Sequence, residues 1–276
     1  MTGPRFSVVS GRPRRRIPPL RNGVYLLPNL VTTAGLFAGF YSIILTQKGQ
    51  YRQAAIMILL AQVADMLDGR IARLTRTASS FGVQYDSLAD LIAFGVAPAI
   101  LLYRWALGQW GQWGWLAASL YVTAGALRLA RFNVQVGTVE KRHFLGLPIP
   151  AAADVIATTV LLYYRLGFLG DPNKHLTMLL VTFGVAGLMV SEVRYFSFKD
   201  IRLHHRHPFS VLIGLIFLAA VTIGAPEVML FLGTVTYALS GPVGRIARVV
   251  RHRHTSGRRD APPSAPSVLD NPGHRG

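Results

Sequence analysis

Residues Ala64 to Gly95 read ADMLDGRIARLTRTASSFGVQYDSLADLIAFG, and long apolar runs precede and follow them. The stretch contains four aspartates, Asp65, Asp68, Asp86 and Asp90. The members of each pair are three or four residues apart, so on a helix each pair lies on one face. Carboxylates inside such apolar sequence are energetically unfavourable and usually functional. The fold of the chain therefore has to explain why four of them lie together.

The composition predicts a membrane protein. Of 276 residues, 51% are hydrophobic and 15% are charged, whereas soluble domains carry about 25% charged residues. The apolar residues lie in runs, most of them close to the roughly 20 residues that cross a bilayer as a helix. We therefore predict an all-α, polytopic integral membrane bundle of about eight transmembrane helices. The predicted spans are Val24–Thr46, Gln53–Ala72, Gly82–Leu107, Trp113–Arg131, Leu147–Tyr164, His175–Ser191, Phe209–Ile223 and Pro226–Ser240.

The distribution of positive charge predicts the orientation. With both termini in the cytoplasm, eight spans place 24 of the 29 Lys and Arg residues inside and 5 outside. Short cytoplasmic loops carry such an excess. The aspartate stretch then lies at the cytoplasmic face of the cell membrane. The net charge of +17 favours anionic lipid headgroups as partners and not nucleic acid.

The two ends of the chain differ from the apolar centre. Residues 1–21 and 245–276 are basic, and they lack the apolar residues that a packed core needs. We predict that both are disordered tails and that residues 22–244 form one transmembrane domain. The chain has no cysteine, which excludes disulfides and thiolate metal sites.

The aspartates predict a metal site. A short connection near residues 75–80 makes the two helices neighbours, so their carboxylates form one cluster that repels itself. All-oxygen ligands favour hard divalent ions such as Mg²⁺ or Mn²⁺. Four carboxylates suit two ions about 4 Å apart, an arrangement that supports in-line displacement at phosphorus. A cation or proton pathway also uses membrane carboxylates, but it would spread them through the membrane depth.

The spacing of these residues resembles the signature of the CDP-alcohol phosphotransferase family. The matching pattern is Asp65-x2-Asp68-Gly69-x2-Ala72-Arg73-x8-Gly82-x3-Asp86-x3-Asp90. The resemblance implies a membrane enzyme that displaces CMP from a CDP-linked lipid or alcohol with two divalent ions. It also implies metal ligation by Asp65, Asp68 and Asp86. Asp90 would be the general base and a further metal ligand.

The resemblance further implies a set of residues that bind the CDP group. Gly69 has no side chain, so a substrate can approach the backbone, and Arg73 can pair with a phosphate. Ser79 would offer a hydroxyl from the turn between the helices. The segment PNLVT near the start of the first span adds Asn29 and Thr32.

The segment ALRLARFN, residues 126–133, ends the fourth predicted span and contains Arg128 and Arg131 on one helix face. Two interpretations are open. The pair is either a basic helix end, which the helix dipole favours, or a site for a carboxylate or diphosphate.

Three further stretches resemble the bacterial and archaeal family members that use serine. They are GVYLLPNLVTTAGLFAGFYSII from Gly23, HFLGLPIPAAA from His143 and MVSEVRYFSFKD from Met189. The resemblance covers about Ile17 to Lys199 and implies CDP-diacylglycerol and L-serine as substrates and a homodimer. It assigns no role to the last two spans. A sibling enzyme that uses glycerol 3-phosphate, inositol phosphate or an archaeal-type lipid donor remains open, as do a transporter and a lipid-binding scaffold.

Overall fold

The computed structural model describes residues 26–75, 79–135, 144–168, 176–195 and 222–256. These residues are helical apart from loops and one pair of two-residue strands, so the predicted all-α class is confirmed. The helices are α1 Leu26–Gln47, α2 Tyr51–Thr75, α3 Ser80–Trp110, α4 Gln112–Gln135, α5 Ile149–Arg165, α6 Leu176–Val190 and α7 Pro226–Ser256. The strands β1 Phe144–Leu145 and β2 Arg194–Tyr195 pair antiparallel.

The first six predicted spans coincide with α1 to α6, and their ends differ by a few residues. The seventh, Phe209–Ile223, falls almost wholly outside the described residues. The predicted boundary of the C-terminal tail is wrong, because α7 continues through Arg245 to Ser256. Ile246, Val249 and Val250 recur there at helical spacing, a pattern that the basic composition obscured.

Helix α3 is continuous but not uniformly α-helical. It contains π-helical turns at Leu91–Val96 and Tyr103–Leu107. Pro98 has no N–H to donate to the carbonyl of Phe94, one turn earlier. The Phe94 carbonyl instead accepts a hydrogen bond of 3.0 Å from the buried hydroxyl of Tyr121 in α4. The irregular part of α3, directly after Asp90, is thereby tied to its neighbour.

Two stretches of the described residues are long and apolar enough to cross a membrane. They are Leu27–Gln47, within α1, and the whole of α3. Helix α6 is apolar but shorter than the roughly 20 residues that a span needs. Helix α2 carries two aspartates and two arginines in its second half, which lowers its apolar character. The number of eight spans therefore stays a prediction.

The helices have two recognisable ends. At the distal end, the Tyr51 hydroxyl lies 3.4 Å from the carbonyl oxygen of Arg104, and Arg52 lies 3.6 Å from Glu227. The carbonyl of Gly224 accepts a 3.5 Å hydrogen bond from Arg165 at the same end. All four aspartates of the opening stretch lie toward the opposite end, which we call the site end.

Helix α1 packs along α2 and reaches α3 through a very close contact. A Cβ atom added at Gly39 would lie 2.6 Å from Cα of Ala93, so only glycine fits there. Ala93 follows Asp90 by less than one turn of α3. This contact brings the start of α1, which carries Asn29 and Thr32, next to the aspartate-bearing parts of α2 and α3.

Candidate active site

Three carboxylates converge at the site end of α2 and α3. One oxygen from each of Asp65, Asp68 and Asp86 lies within 4.8 Å of the others. Asp68 is only 5% exposed, and the other two are partly buried. Three converging, negatively charged oxygen donors fit a hard divalent cation and offer nothing to a soft metal. The structure thus brings together three of the four predicted ligands.

Asp90 has a different place in the same site. It lines one small cavity together with the three clustered aspartates, Thr32, Gly35, Leu36, Ala61, Ala89, Ala93 and Phe94. It is not a member of the compact group of three. One helical turn beyond Asp86, its carboxylate faces the same space without completing the cluster. This separation distinguishes Asp90 from the other three.

Thr32 has a partner that the sequence did not indicate. Its hydroxyl lies 2.7 Å from Oδ2 of Asp68, to which it donates a hydrogen bond, and 3.1 Å from the carbonyl oxygen of Pro28. Both Thr32 and Asp68 are buried. The sequence predicts a contact between Thr32 and CDP, whereas here the hydroxyl orients a carboxylate of the cluster.

Ser79 and Asn29 meet at the start of α3. The Ser79 Oγ accepts a 3.0 Å hydrogen bond from the backbone N–H of Gly82 and caps the helix. A Cβ added at Gly82 would lie 3.2 Å from that Oγ and 3.4 Å from Oδ1 of Asn29. Ser79 and Asn29, two of the residues that the sequence predicts to bind CDP, therefore lie together at the site end. The absence of a side chain at Gly82 leaves room for both.

Arg73 lies over Gly69, one turn earlier in α2. A Cβ added at Gly69 would be 3.9 Å from both terminal nitrogens of Arg73. Arg73 is exposed, and the structure gives it no ion pair among the described residues. The guanidinium group can therefore turn toward an anionic group that approaches Gly69.

Arg128 of α4 lies near the aspartates. It has an attractive electrostatic interaction with Asp90, although no ion pair within 4.0 Å joins them. Its Nε is buried and has no hydrogen-bond partner among the described residues. Arg131, three residues later, is partly buried at the same helix end. A buried guanidinium nitrogen without a partner is costly, which favours the anion-binding interpretation of this segment.

Asn133, at the end of the same segment, reaches α3. Its Nδ2 donates a 3.0 Å hydrogen bond to the Ser87 hydroxyl, next to Asp86. Sequence reasoning missed Asn133, although it lies within the quoted stretch ALRLARFN. The signal was its spacing, since Asn133 is near enough to Arg128 to lie at the same helix end.

The fold and the site together define a class: a helical bundle with a carboxylate cluster that could hold a divalent metal at one end and an arginine, Arg128, close to it. The sequence profile of the CDP-alcohol phosphatidyltransferase family matches residues 25–193. The chain belongs to this family, whose members use divalent metals. The match includes both aspartate pairs and the Arg128 segment, and it ends before α7.

Several relatives are similar over most of the chain. A CDP-diacylglycerol–serine O-phosphatidyltransferase of Helicobacter pylori is 43% identical over 182 residues, which are 66% of this chain and 76% of that protein. An archaetidylserine synthase of Methanothermobacter thermautotrophicus is 39% identical over 61% of this chain and 69% of its own. A CDP-diacylglycerol–serine O-phosphatidyltransferase of Mycobacterium leprae is 32% identical and covers 83% of this chain and 76% of its own.

Proposed function

We propose that this chain transfers the phosphatidyl group of CDP-diacylglycerol to the hydroxyl of L-serine and releases CMP. The observation that carries the proposal is the convergence of Asp65, Asp68 and Asp86 in a chain of this family. The similarity to the serine-using transferase of Helicobacter pylori supports serine as the acceptor.

The three converging aspartates would hold divalent metal, Mg²⁺ or Mn²⁺, and we propose two ions. Bound metal would neutralise charge on the diphosphate and on the CMP that leaves. Arg73 and Gly69 would accommodate the CDP phosphates, because the guanidinium can turn outward and the glycine leaves the backbone accessible. Thr32 would keep Asp68 oriented toward the cavity through its hydrogen bond.

Asp90 would act as the general base. In the reaction, the serine oxygen forms a bond to the lipid-side phosphorus, and the bond from that phosphorus to the CMP oxygen breaks. The proton of the serine hydroxyl passes to the Asp90 carboxylate. The place of Asp90 in the cavity, outside the compact group of three, supports this division of roles. An additional contact of Asp90 with one ion is compatible with the same cavity.

Arg128 and Arg131 would bind the carboxylate of serine or the lipid phosphate. The unpartnered Nε of Arg128 and its interaction with Asp90 support this, since an acceptor between the two residues would meet both a base and a cation. Planar guanidinium groups bind carboxylates through paired hydrogen bonds.

We further propose eight spans, both termini in the cytoplasm and an active site at the cytoplasmic face of the plasma membrane. In support, Tyr195 and Gly224, which flank the seventh predicted span, lie at opposite ends of the bundle. Tyr195 bonds to Ala238, whereas Gly224 bonds to Arg165 at the distal end. Single cysteines placed in each tail should resist impermeant thiol reagents in intact cells, and labelling from outside would contradict this topology. A homodimer and binding of anionic lipids by the basic tails belong to the same proposal.

A second candidate function uses an archaeal-type CDP-lipid as the donor and serine as the acceptor. The similarity to an archaetidylserine synthase favours it, because the aspartates and Arg73 would contact the CDP group that both donors share and not the lipid tails. Glycerol 3-phosphate and inositol phosphate, which carry a phosphate of their own, are the acceptors against which serine has to be tested.

The deciding experiment supplies the purified chain with CDP-diacylglycerol or an archaeal-type CDP-lipid, with Mg²⁺ or Mn²⁺, and with one acceptor at a time. CMP release and the lipid product are measured for serine, glycerol 3-phosphate and inositol phosphate. We expect turnover with serine. CMP release with another acceptor alone would refute serine, and no metal-dependent CMP release with any acceptor would refute the enzyme.

A further inference from the structure

Two side chains form a direct link between α3 and α4 at the site end. Nδ2 of Asn133 donates a 3.0 Å hydrogen bond to Oγ of Ser87, and both side chains are partly buried. Ser87 directly follows Asp86, a member of the carboxylate cluster, and Asn133 lies two residues after Arg131. The link therefore joins the helix that carries Asp86 and Asp90 to the end of the helix that carries the arginines.

A second hydrogen bond of Ser87 fixes the direction of this link. The Ser87 hydroxyl lies 3.0 Å from the carbonyl oxygen of Val83, one turn earlier in α3, and 3.4 Å from Oδ1 of Asn133. A hydroxyl has one proton to donate, and the shorter contact within α3 takes it. The Ser87 oxygen then accepts from its other neighbour, so the Asn133 amide presents its N–H. Ser87 is thereby a fixed acceptor on the surface of α3.

A second link joins the same two helices about two turns farther along α3. There the carbonyl of Phe94 accepts the 3.0 Å hydrogen bond from the buried hydroxyl of Tyr121. Asp90 lies between the two links on α3, and Arg128 lies between them on α4. The two residues between which the acceptor would bind therefore belong to a helix interface that is fastened on both sides of them.

We propose that Ser87 and Asn133 are positioning residues, whose hydrogen bond sets the separation of Asp90 and Arg128 and so holds the acceptor hydroxyl at the base. Arg128 and Arg131 lie in the last turns of α4, and Asn133 fastens this end to α3. A displacement of about 1 Å between reacting groups can lower a rate by as much as about 100-fold. The inference rests on the proposed function, because it assigns the acceptor to the space between Asp90 and Arg128.

The test removes each partner of the hydrogen bond and then both. Ser87→Ala, Asn133→Leu and the double variant are made in the full chain. The measured quantities are kcat and KM for serine, metal-dependent binding of CDP-diacylglycerol by calorimetry, and the melting temperature. We expect kcat/KM to fall about tenfold in each single variant and no further in the double variant, because the two side chains share one hydrogen bond. Binding of CDP-diacylglycerol should change less than about twofold, since neither side chain belongs to the group of three aspartates.

Two control variants separate positioning from stability. Ser87→Thr keeps the hydroxyl and should retain kcat/KM within about twofold of the wild type. Thr123→Val removes an exposed hydroxyl that donates a 2.9 Å hydrogen bond to the carbonyl of Ser119 in α4 itself. It should leave kcat/KM unchanged, because it breaks no bond between helices.

Three results would overturn the proposal. They are an unchanged kcat/KM in folded Ser87→Ala, a loss of about 100-fold in the double variant, and a loss of CDP-diacylglycerol binding as large as the loss of kcat/KM. A lower melting temperature of Ser87→Ala at an unchanged kcat/KM would show a structural role only. If Asn133→Leu does not fold, the comparison of Ser87→Ala with Ser87→Thr decides.

The activity of the wild-type chain tests the proposed function, and the ratio of each variant to the wild type tests the link. If the wild type uses a different acceptor from the panel, the proposed use of serine fails. The same ratios measured with that acceptor then decide the role of Ser87 and Asn133.

Discussion

The two sides of the site are built in different ways. The proposed donor side, Asp65, Asp68 and Asp86, comes from one stretch of α2 and α3 and forms a compact group of oxygens. The proposed acceptor side combines Asp90 of α3 with Arg128 of α4, which are far apart in the chain. The first can therefore be recognised as a local pattern, and the second exists only after the helices have packed.

This difference has a chemical counterpart. Members of one family that share a CDP group need the same donor side, whereas their acceptors differ. An acceptor side assembled from separate helices can change while the three clustered aspartates stay fixed. We therefore expect substitutions on the donor side to abolish the reaction and substitutions of Arg128 or Arg131 to change its selectivity.

The largest effect is expected for Asp68→Asn. The change removes a charge from the most buried member of the cluster, so the binding of CDP-diacylglycerol that depends on metal should be lost and turnover should be undetectable. Excess chelator should have the same effect on the wild-type chain, with recovery on adding Mg²⁺ or Mn²⁺. Binding is measured by calorimetry and turnover by CMP release.

Glu192→Gln is the matched control, because Glu192 is an exposed carboxylate outside the cluster. It should leave both quantities unchanged. Full activity of Asp68→Asn, or of the wild type in chelator, would mean that the clustered aspartates do not act by holding a metal ion.

The next effect is expected for Asp90→Asn, which keeps size and polarity but cannot accept a proton. A general base contributes about 10²–10⁴-fold, and kcat should fall by this amount. Binding of CDP-diacylglycerol in the presence of metal should persist, because Asp90 lies outside the group of three. If the folded variant loses binding as severely as Asp68→Asn, Asp90 belongs to the metal ligands and not to the acceptor side.

A smaller effect is expected for Thr32→Val, which removes the hydroxyl bonded to Asp68 and keeps the shape. Loss of a partner that orients a metal ligand weakens metal binding by roughly 10–100-fold. The concentration of Mg²⁺ or Mn²⁺ that gives half-maximal activity should rise by this factor. Thr33→Val is the control, because the Thr33 hydroxyl bonds to the Asn29 carbonyl and lies 2.8 Å from the Tyr85 hydroxyl. Equal shifts in both variants would mean that α1 acts only through packing.

The smallest effect is expected for Ser79→Ala. Loss of the cap on α3 costs about 0.5–2 kcal/mol, which should lower the melting temperature. The KM for CDP-diacylglycerol should change little if capping is the main role of Ser79. A clear rise in this KM at an unchanged melting temperature would instead support the nucleotide contact that the resemblance implies.

The sequence predicted the helices better than their ends. The apolar runs locate α1 to α6 because burying apolar side chains is the main driving force for forming these helices. The tail boundary at Arg245 failed, because a basic segment was expected to lack structure although its few apolar residues recur at helical spacing. The short β1–β2 pair was not predicted, since two-residue strands leave no periodic pattern.

By itself, the sequence determined which carboxylates form the donor side. Spacings of three and four residues place each aspartate pair on one helix face, and the short connection near residues 75–80 makes the two helices neighbours, so the positions of these residues in the chain were enough to group them. The partners of these residues depended on tertiary structure. The bond of Thr32 to Asp68, the interaction of Arg128 with Asp90 and the bond of Asn133 to Ser87 each join residues of different helices. Such contacts depend on how whole helix surfaces fit together, and no local spacing encodes that fit.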